Sequence, residues 1–181
     1  GALATWQRRE LRGIVIDSST DNFCAGGDVR GIRELVLAGD WVEVERFFRT
    51  EYRMNERIAT YPAPVVSLID GICMGGGMGL SMHGTFRVVT ERAVLAMPET
   101  IIGFIPDVGS TFFLSRLPGA LGLYLGLTGH RMSAADAMAI GRLACCRNHL
   151  AARLAKRPTS SSARSCRSAG TLPSCASIPA Q

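Results

Sequence analysis

The chain has one lysine, Lys156, against nineteen arginines, and no acidic residue at all after Gly141. The arginine bias suits a GC-rich gene and does not fix a compartment. No apolar run approaches the roughly 20 residues that a membrane-spanning helix needs, so none is predicted. The start lacks a basic stretch, an apolar run and a small-residue cleavage site, which excludes a secretory signal there. Gly1 in place of Met reads as a fragment or a processed start. The six cysteines include no CxxC pair, and no His/Cys cluster has zinc-like spacing, so no metal site is predicted. Neither a GxGxxG fingerprint with its acidic ribose partner nor a Gly-Lys-Ser/Thr phosphate loop is present.

The net charge of +5 is unevenly placed. Residues 142–181 hold seven basic side chains, leaving 13 basic against 15 acidic in residues 1–141. The body is therefore near neutral. A basic tail can attract nucleic acid or an anionic surface, but this one has no aromatic residue to stack a base, and nucleic acid is not assigned as a partner. Its Ser, Ala, Pro and Cys content buries too little apolar surface to offset ordering entropy. The expectation is a core over 1–141 and an atypical, disordered or frame-shifted tail over 142–181.

What is present is a core-forming body, 47% hydrophobic overall, with a repeated order of strand, glycine turn and helix. Leu11 to Asp17 reads as a buried strand. A sharp turn, Phe23-Cys24-Ala25-Gly26-Gly27-Asp28, follows, and Asp28 is placed to cap a helix through Leu37. Asp40 starts a second helix through about Tyr61, ended by Pro62 and Pro64. Its stripe Trp41, Val44, Phe47, Phe48, Tyr52 and Ile58 is read as core packing. Val65 to Ile69 is a strand, and the turn Gly71 to Gly77 leads to a helix at about Met78 to His83. Short strands are expected at Phe86–Val89 and Ala93–Ala96, then helices at Ser110–Leu117 and Ala120–Leu127. Ser133 and Asp136 have the spacing of a capping box. Alternation of this kind predicts an α/β fold with its turns gathered at one end of the sheets.

Two glycine turns can bring backbone N–H groups close to a ligand oxygen, and each such donor is worth about 3 kcal/mol toward a developing oxyanion. The helix after the second turn would add its positive end. Glu99 and Asp107 then place two carboxylates eight residues apart in the otherwise apolar run Pro98 to Asp107. By spacing alone both also read as helix or turn caps. Glu51, beside Arg53 and Glu56, reads as part of a solvated face, His83 as a core histidine, and Cys24 and Cys73 as small buried hydrophobes in a reducing compartment.

The runs Phe23 to Arg30, Gly71 to Gly84, Met97 to Thr100 and Pro106 to Gly109 together resemble the enoyl-CoA hydratase/isomerase (crotonase) superfamily, and within it the 3-hydroxyisobutyryl-CoA hydrolase branch. The resemblance covers about residues 1–141. It implies an α/β fold of repeated ββα units wound as a superhelix, incomplete here because further helices, and a strand and hairpin before Gly1, belong to the family pattern. It implies an oxyanion hole from the N–H groups of Ala25 and Gly76. Contacts to coenzyme A are implied for Cys24, Gly26, Gly27, Asp28 and Gly75, and to the substrate for Glu51, Gly76, Glu99 and Asp107. Hydratases of the superfamily carry a glutamate three residues after the middle glycine, where this chain has Gly79. Hydration wants two acids flanking one water, so the resemblance favours hydrolysis of an acyl-CoA thioester. Glu99 would serve as nucleophile or general base, and Asp107 would position the 3-hydroxyl group or shuttle a proton. No cofactor is implied beyond the coenzyme A of the substrate. Relatives work in the mitochondrial matrix in eukaryotes and in the cytoplasm in bacteria. Many superfamily members are trimers, so a homo-oligomer is allowed but not required. A hydratase or isomerase and a non-catalytic fragment stand as the alternatives.

Overall fold

The computed structural model describes Leu3 and residues 11–141, and the basic tail lies outside the described residues. Six strands within this part form two three-stranded sheets. The first holds β1 (Ile14–Ile16), β2 (Val65–Ile69) and β4 (Phe86–Val89), all parallel, with Ile14 opposite Val65 and Val66 opposite Phe86. The second holds β3 (Ile72–Met74), β5 (Val94–Ala96) and β6 (Met132–Ser133), with β3 and β5 parallel and β5 and β6 antiparallel.

The connections explain the pattern. β2 ends in the first sheet, the chain turns at Asp70 and Gly71, and β3 begins in the second. β4 and β5 repeat the same handover. Gly71 has φ +65°, and a Cβ there would run into the Asp21 carbonyl, so the corner demands glycine. Beside it, the Arg92 guanidinium donates to both oxygens of Asp70, at 3.1 and 2.6 Å. Arg92 foremost, and Thr90 after it, hold the Asp70 carboxyl below its ordinary range against the effect of burial. Each strand pair is followed by a helical piece: α3 (Gly76–Met82) after the first, a 3₁₀ turn (Glu99–Ile102) after the second. These are the repeated ββα units.

Local sequence sets the remaining helices. α1 (Val29–Ala38) begins where Asp28 accepts from the Gly31 N–H, and ends at Gly39 in the left-handed region. α2 (Trp41–Ala59) begins where Asp40 accepts from the Glu43 N–H. α4 (Ser110–Leu114) and α5 (Leu121–Thr128) follow the 3₁₀ turn. α6 (Ala134–Ile140) opens on a true capping box, with Asp136 accepting from the Ser133 N–H and Ser133 accepting from the Asp136 N–H.

Four elements depart from the sequence reading, one of them the two-residue strand β6, which it did not contain. Ile72–Met74 is a strand, because it pairs with β5 on one side and on the other Cys24 donates to the Ile72 carbonyl and accepts from the Met74 N–H. α3 begins at Gly76, two residues early, because Gly75 takes the cap position with φ 52°. α4 stops at Leu114. The stripe on α2 is not uniformly core: Trp41 is 63% exposed, Phe48 stacks on Phe104 at 5.8 Å, and the Phe47 ring rests on Gly27.

The main core lies between the second sheet and α3 to α6, around Cys73, Met78, Leu95, Met97, Val108 and Leu125. A smaller cluster of Ile14, Ile58 and Val65 seats the end of α2 on the first sheet. Gly122 in α5 lies directly over the Leu114 carbonyl, so even a methyl group there would collide with backbone. No described helix is long and apolar enough to cross a membrane.

Candidate active site

The two glycine turns lie side by side. Cys24 pairs with Cys73 as a parallel bridge, its N–H donating to the Ile72 carbonyl at 2.9 Å and its carbonyl accepting from Met74 at 2.9 Å. Immediately after that bridge the first turn leaves the ladder at Ala25 to Gly27. A Cβ on Gly26 would lie 3.6 Å from the Gly76 nitrogen, and one on Gly76 would lie 3.4 Å from the Gly27 nitrogen. Any side chain on these glycines would occupy the space between the turns. Gly76 is the first residue of α3, so its N–H has no partner within the helix. Ala25 is exposed at the surface of the first turn.

Beside these turns is a cavity of about 550 Å³, lined by Cys24, Gly26, Gly27, Leu35, Glu43, Arg46, Phe47, Thr50, Glu51, Met54, Gly76 and Leu80. Of the residues singled out by sequence, Cys24, Gly26, Gly27, Glu51 and Gly76 therefore share one wall system. Asp28 is not in that lining; its carboxylate caps α1. Cys24 and Cys73 are both free thiols. Burial foremost pushes the Cys73 thiol up to about 12, with a hydrogen bond from Ser81 opposing. It is therefore the inert core residue that its sequence context suggests.

Glu51 is not a solvated helix residue. Its Oε1 lies 2.5 Å from where a Cβ on Gly76 would stand. Burial, and then the Asp107 charge, raise its carboxyl above the ordinary value. Glu99 is 7% exposed. Its Oε1 lies 3.1 Å from the Cβ position of Gly75, and its Oε2 is buried with no hydrogen-bond partner. Burial foremost, with the charges of Asp107 and Glu51 adding, raises Glu99 to about 7 against the lowering effect of its own backbone N–H. Three carboxylates, Glu51, Glu99 and Asp107, thus lie within electrostatic reach of one another, with Glu51 and Glu99 at the start of α3. Glu99 and Asp107 do not line the cavity itself.

Asp107 does not cap α4: Gly109 holds that position with no side-chain cap. Instead Asp107 Oδ2 accepts from the Tyr52 hydroxyl at 2.7 Å. The next residue, Val108, has φ 44°, a region that a β-branched side chain enters only at a cost of about 1–3 kcal/mol. Two bonds hold it there. His83 Nε2–H donates to the Val108 carbonyl at 2.7 Å, and the Ser110 N–H donates to the Asp107 carbonyl at 2.7 Å. His83 is half-buried with its edge toward Phe113. Its place in the packing agrees with a core histidine, and it also braces the turn that carries Asp107.

Sequence reasoning missed Tyr52. It stood in the apolar stripe, and nothing in the local pattern announces a partner 55 residues away. Its hydroxyl is held well above its ordinary range by burial first, then by the bond to Asp107, so it stays a donor. Replacing Tyr52 by Phe removes this bond and should cost the fold about 1 kcal/mol. Denaturant titration checks this; an unchanged midpoint would show that the bond contributes nothing to holding the turn at Asp107.

Gly79 is buried in α3. A Cβ on it would lie 2.8 Å from Val108 Cβ and 2.9 and 3.0 Å from the two polar atoms of the Asn55 amide. No acidic side chain fits there without displacing its neighbours. Among the described residues, no group of three or more His, Cys, Asp and Glu could hold a metal ion.

Comparison with known proteins agrees with this architecture. A family model described as enoyl-CoA hydratase/isomerase matches residues 1–165, running past Gly141, where the residue-by-residue resemblance ends. The chain is 56% identical over 119 residues to the mitochondrial 3-hydroxyisobutyryl-CoA hydrolase of Xenopus tropicalis, a match covering 66% of this chain and 31% of that one. It is 50% identical over 141 residues to the protein of the same name from Danio rerio, covering 77% and 37%. A solved enoyl-CoA hydratase from Rhodobacter sphaeroides superposes with a TM-score of 0.75 at 46% identity, covering 79% of this chain and 43% of that one. The matched part thus spans about a third of the length of the curated relatives. The family match, the shared fold and the paired glycine turns agree: this chain belongs to the enoyl-CoA hydratase/isomerase (crotonase) family.

Proposed function

We propose that the site is built to hydrolyse an acyl-CoA thioester, with 3-hydroxyisobutyryl-CoA as the substrate, giving 3-hydroxyisobutyrate and free coenzyme A in valine breakdown. The observation that carries this reading is the closed space at Gly79. A hydratase needs a second acid opposite Glu99, and here Val108 and the Asn55 amide fill its place. Glu99 is left with Asp107 and Glu51 as its acidic neighbours.

In this reading the thioester oxygen lies between the N–H groups of Ala25 and Gly76, which stabilise the negative charge that develops on it. Coenzyme A runs along the first turn, past Cys24, Gly26, Gly27 and Asp28, with Gly75 behind the acyl end. Glu99, buried and close to neutral pH in its titration, supplies the attacking oxygen, either its own or that of a water it deprotonates. The tetrahedral intermediate collapses by breaking the carbon–sulfur bond, and the coenzyme A thiolate leaves with a proton; where water attacked, this gives the free acid directly, and where Glu99 attacked, it leaves a mixed anhydride that a second water hydrolyses to the free acid, restoring the Glu99 carboxylate. Asp107, held by Tyr52 and the braced turn, moves that proton or fixes the acyl group. The reaction needs no cofactor beyond the substrate's own coenzyme A. For a eukaryotic source the mitochondrial matrix is the proposed compartment, after the named relatives; for a bacterial source it is the cytoplasm.

The test is direct. The chain is incubated separately with 3-hydroxyisobutyryl-CoA and crotonyl-CoA. Release of free thiol from the first, with no loss of conjugated double bond from the second, is the expected result. Hydration of crotonyl-CoA without thiol release would replace this reading by the hydratase one. A folded protein that binds coenzyme A and does neither would be a non-catalytic member of the family.

A further inference from the structure

Val108 holds a conformation that its residue type resists. It is buried and β-branched, yet its φ is 44°, and such a residue stays in the left-handed region only where its surroundings over-determine it. Gly109 follows with φ 77°. Two left-handed residues in succession place Asp107 at the head of a turn that the chain would not take unaided.

The surroundings are specific. Three consecutive carbonyls, of Pro106, Asp107 and Val108, each accept a bond of 2.6 to 2.7 Å. The first two donors are the hydroxyl and the N–H of Ser110, both local. The third is His83 Nε2–H, 25 residues away in sequence and at the end of α3. Among the described residues it is the one hydrogen bond that ties the backbone of 106–109 to another element. The His83 ring also fills the place of a side chain on residue 109, 2.5 Å from that Cβ position. Val108 in turn packs against Gly79 of the same helix.

α3 begins at Gly76, on the cavity wall. His83 therefore ties the turn at Asp107 to the element that carries the proposed oxyanion donor. Tyr52 fixes where the Asp107 carboxylate ends; His83 fixes where its backbone starts. A glycine at 108 would adopt this φ freely and leave it as freely. A buried valine pinned by His83 gives the turn one setting, and an acid that acts at a fixed point needs one.

We propose that His83 is a positioning residue for the hydrolysis: its bond to the Val108 carbonyl sets the place of Asp107 relative to Gly76, and turnover depends on that bond. The proposal rests on the thioester reading of the site. His83 does not line the cavity; it acts through Asp107.

The experiment compares side chains of one length. His83→Gln keeps an N–H donor at about the reach of Nε2, and His83→Met has no donor. Denaturant titration of each full chain defines the conditions in which it is folded, and thiol release from 3-hydroxyisobutyryl-CoA is measured there. The methionine variant should lose about tenfold or more in kcat/KM, and the glutamine variant should stay within about threefold of the parent. In a chain already carrying Asp107→Asn, His83→Met should cost less than about twofold more, because the group it positions is gone. His83→Asn, whose amide falls short of the carbonyl, serves the same comparison should methionine disturb the packing. A folded methionine variant with the parent's kcat/KM, an equal loss in the glutamine and methionine variants, or the same fractional loss with Asp107→Asn as without it overturns the proposal and leaves the thioester site standing. A folded parent that releases no thiol sinks the site reading and this proposal with it.

Discussion

A glutamine at position 99 should lower thioester hydrolysis by about 10³-fold and, at the same time, stabilise the protein above neutral pH. Both effects have one origin. Glu99 is buried, with one oxygen unpartnered, and burial foremost, assisted by the Asp107 and Glu51 charges, raises its carboxyl from 4.5 to about 7. The folded chain therefore prefers the protonated acid more than the unfolded chain does. The stability that this preference contributes is fully present below the unfolded value and is lost as pH rises through about 7. Glutamine mimics the protonated acid at every pH. The melting temperatures of the two chains should be close at pH 4.5 and diverge toward pH 8, with the glutamine variant higher. Turnover runs in the opposite sense: the carboxylate is the reactive form, so hydrolysis by the parent should rise with pH through about 7. Undiminished turnover in the variant would remove Glu99 from the mechanism, and parallel melting curves would remove its buried charge from the stability argument.

The second large effect is at Gly79. Installing glutamate there adds the acid that a hydratase carries, yet it should not create a hydratase. The new Cβ alone would press on Val108 and on the Asn55 amide at 2.8 to 3.0 Å, and overpacking of this kind costs about 1–3 kcal/mol. The carboxylate must then be buried beside three acids already in electrostatic contact, which adds the cost of an uncompensated charge. Denaturant titration should show a loss of about 3 kcal/mol or more, with no hydration of crotonyl-CoA. Gly79→Ala, which brings only the Cβ, should lose less. A stably folded Gly79→Glu chain that hydrates crotonyl-CoA would refute the claim that this position is closed.

Features written in neighbouring residues were legible from sequence. Asp28 and Asp40 cap their helices, the Ser133 and Asp136 box forms, and the strands at β1, β2, β4 and β5 appear at their apolar runs, because each depends on contacts a few residues apart. β3 was not legible: three residues beside glycines show no period, and its partners are Cys24 and β5. The glycine turns announced themselves by composition, and the family resemblance supplied the acids' roles. What neither gave was the way α2 serves the site. Phe47 resting on Gly27, Tyr52 holding Asp107 and Asn55 over Gly79 are pairings across tens of residues, and a helical stripe conceals them by resembling core. By its local pattern Glu51 looked like surface for the same reason, since its burial comes from the turn at Gly76; only the resemblance marked it as a substrate contact.

α3 is seven residues long, about 10 Å, and both of its ends have work. Gly76 opens it at the cavity wall. His83, just past its last turn, grips the carbonyl next to Asp107. The little helix is therefore a gauge block: its length sets the span between amide and acid, and lengthening it by a single residue would spoil the spacing at both ends at once.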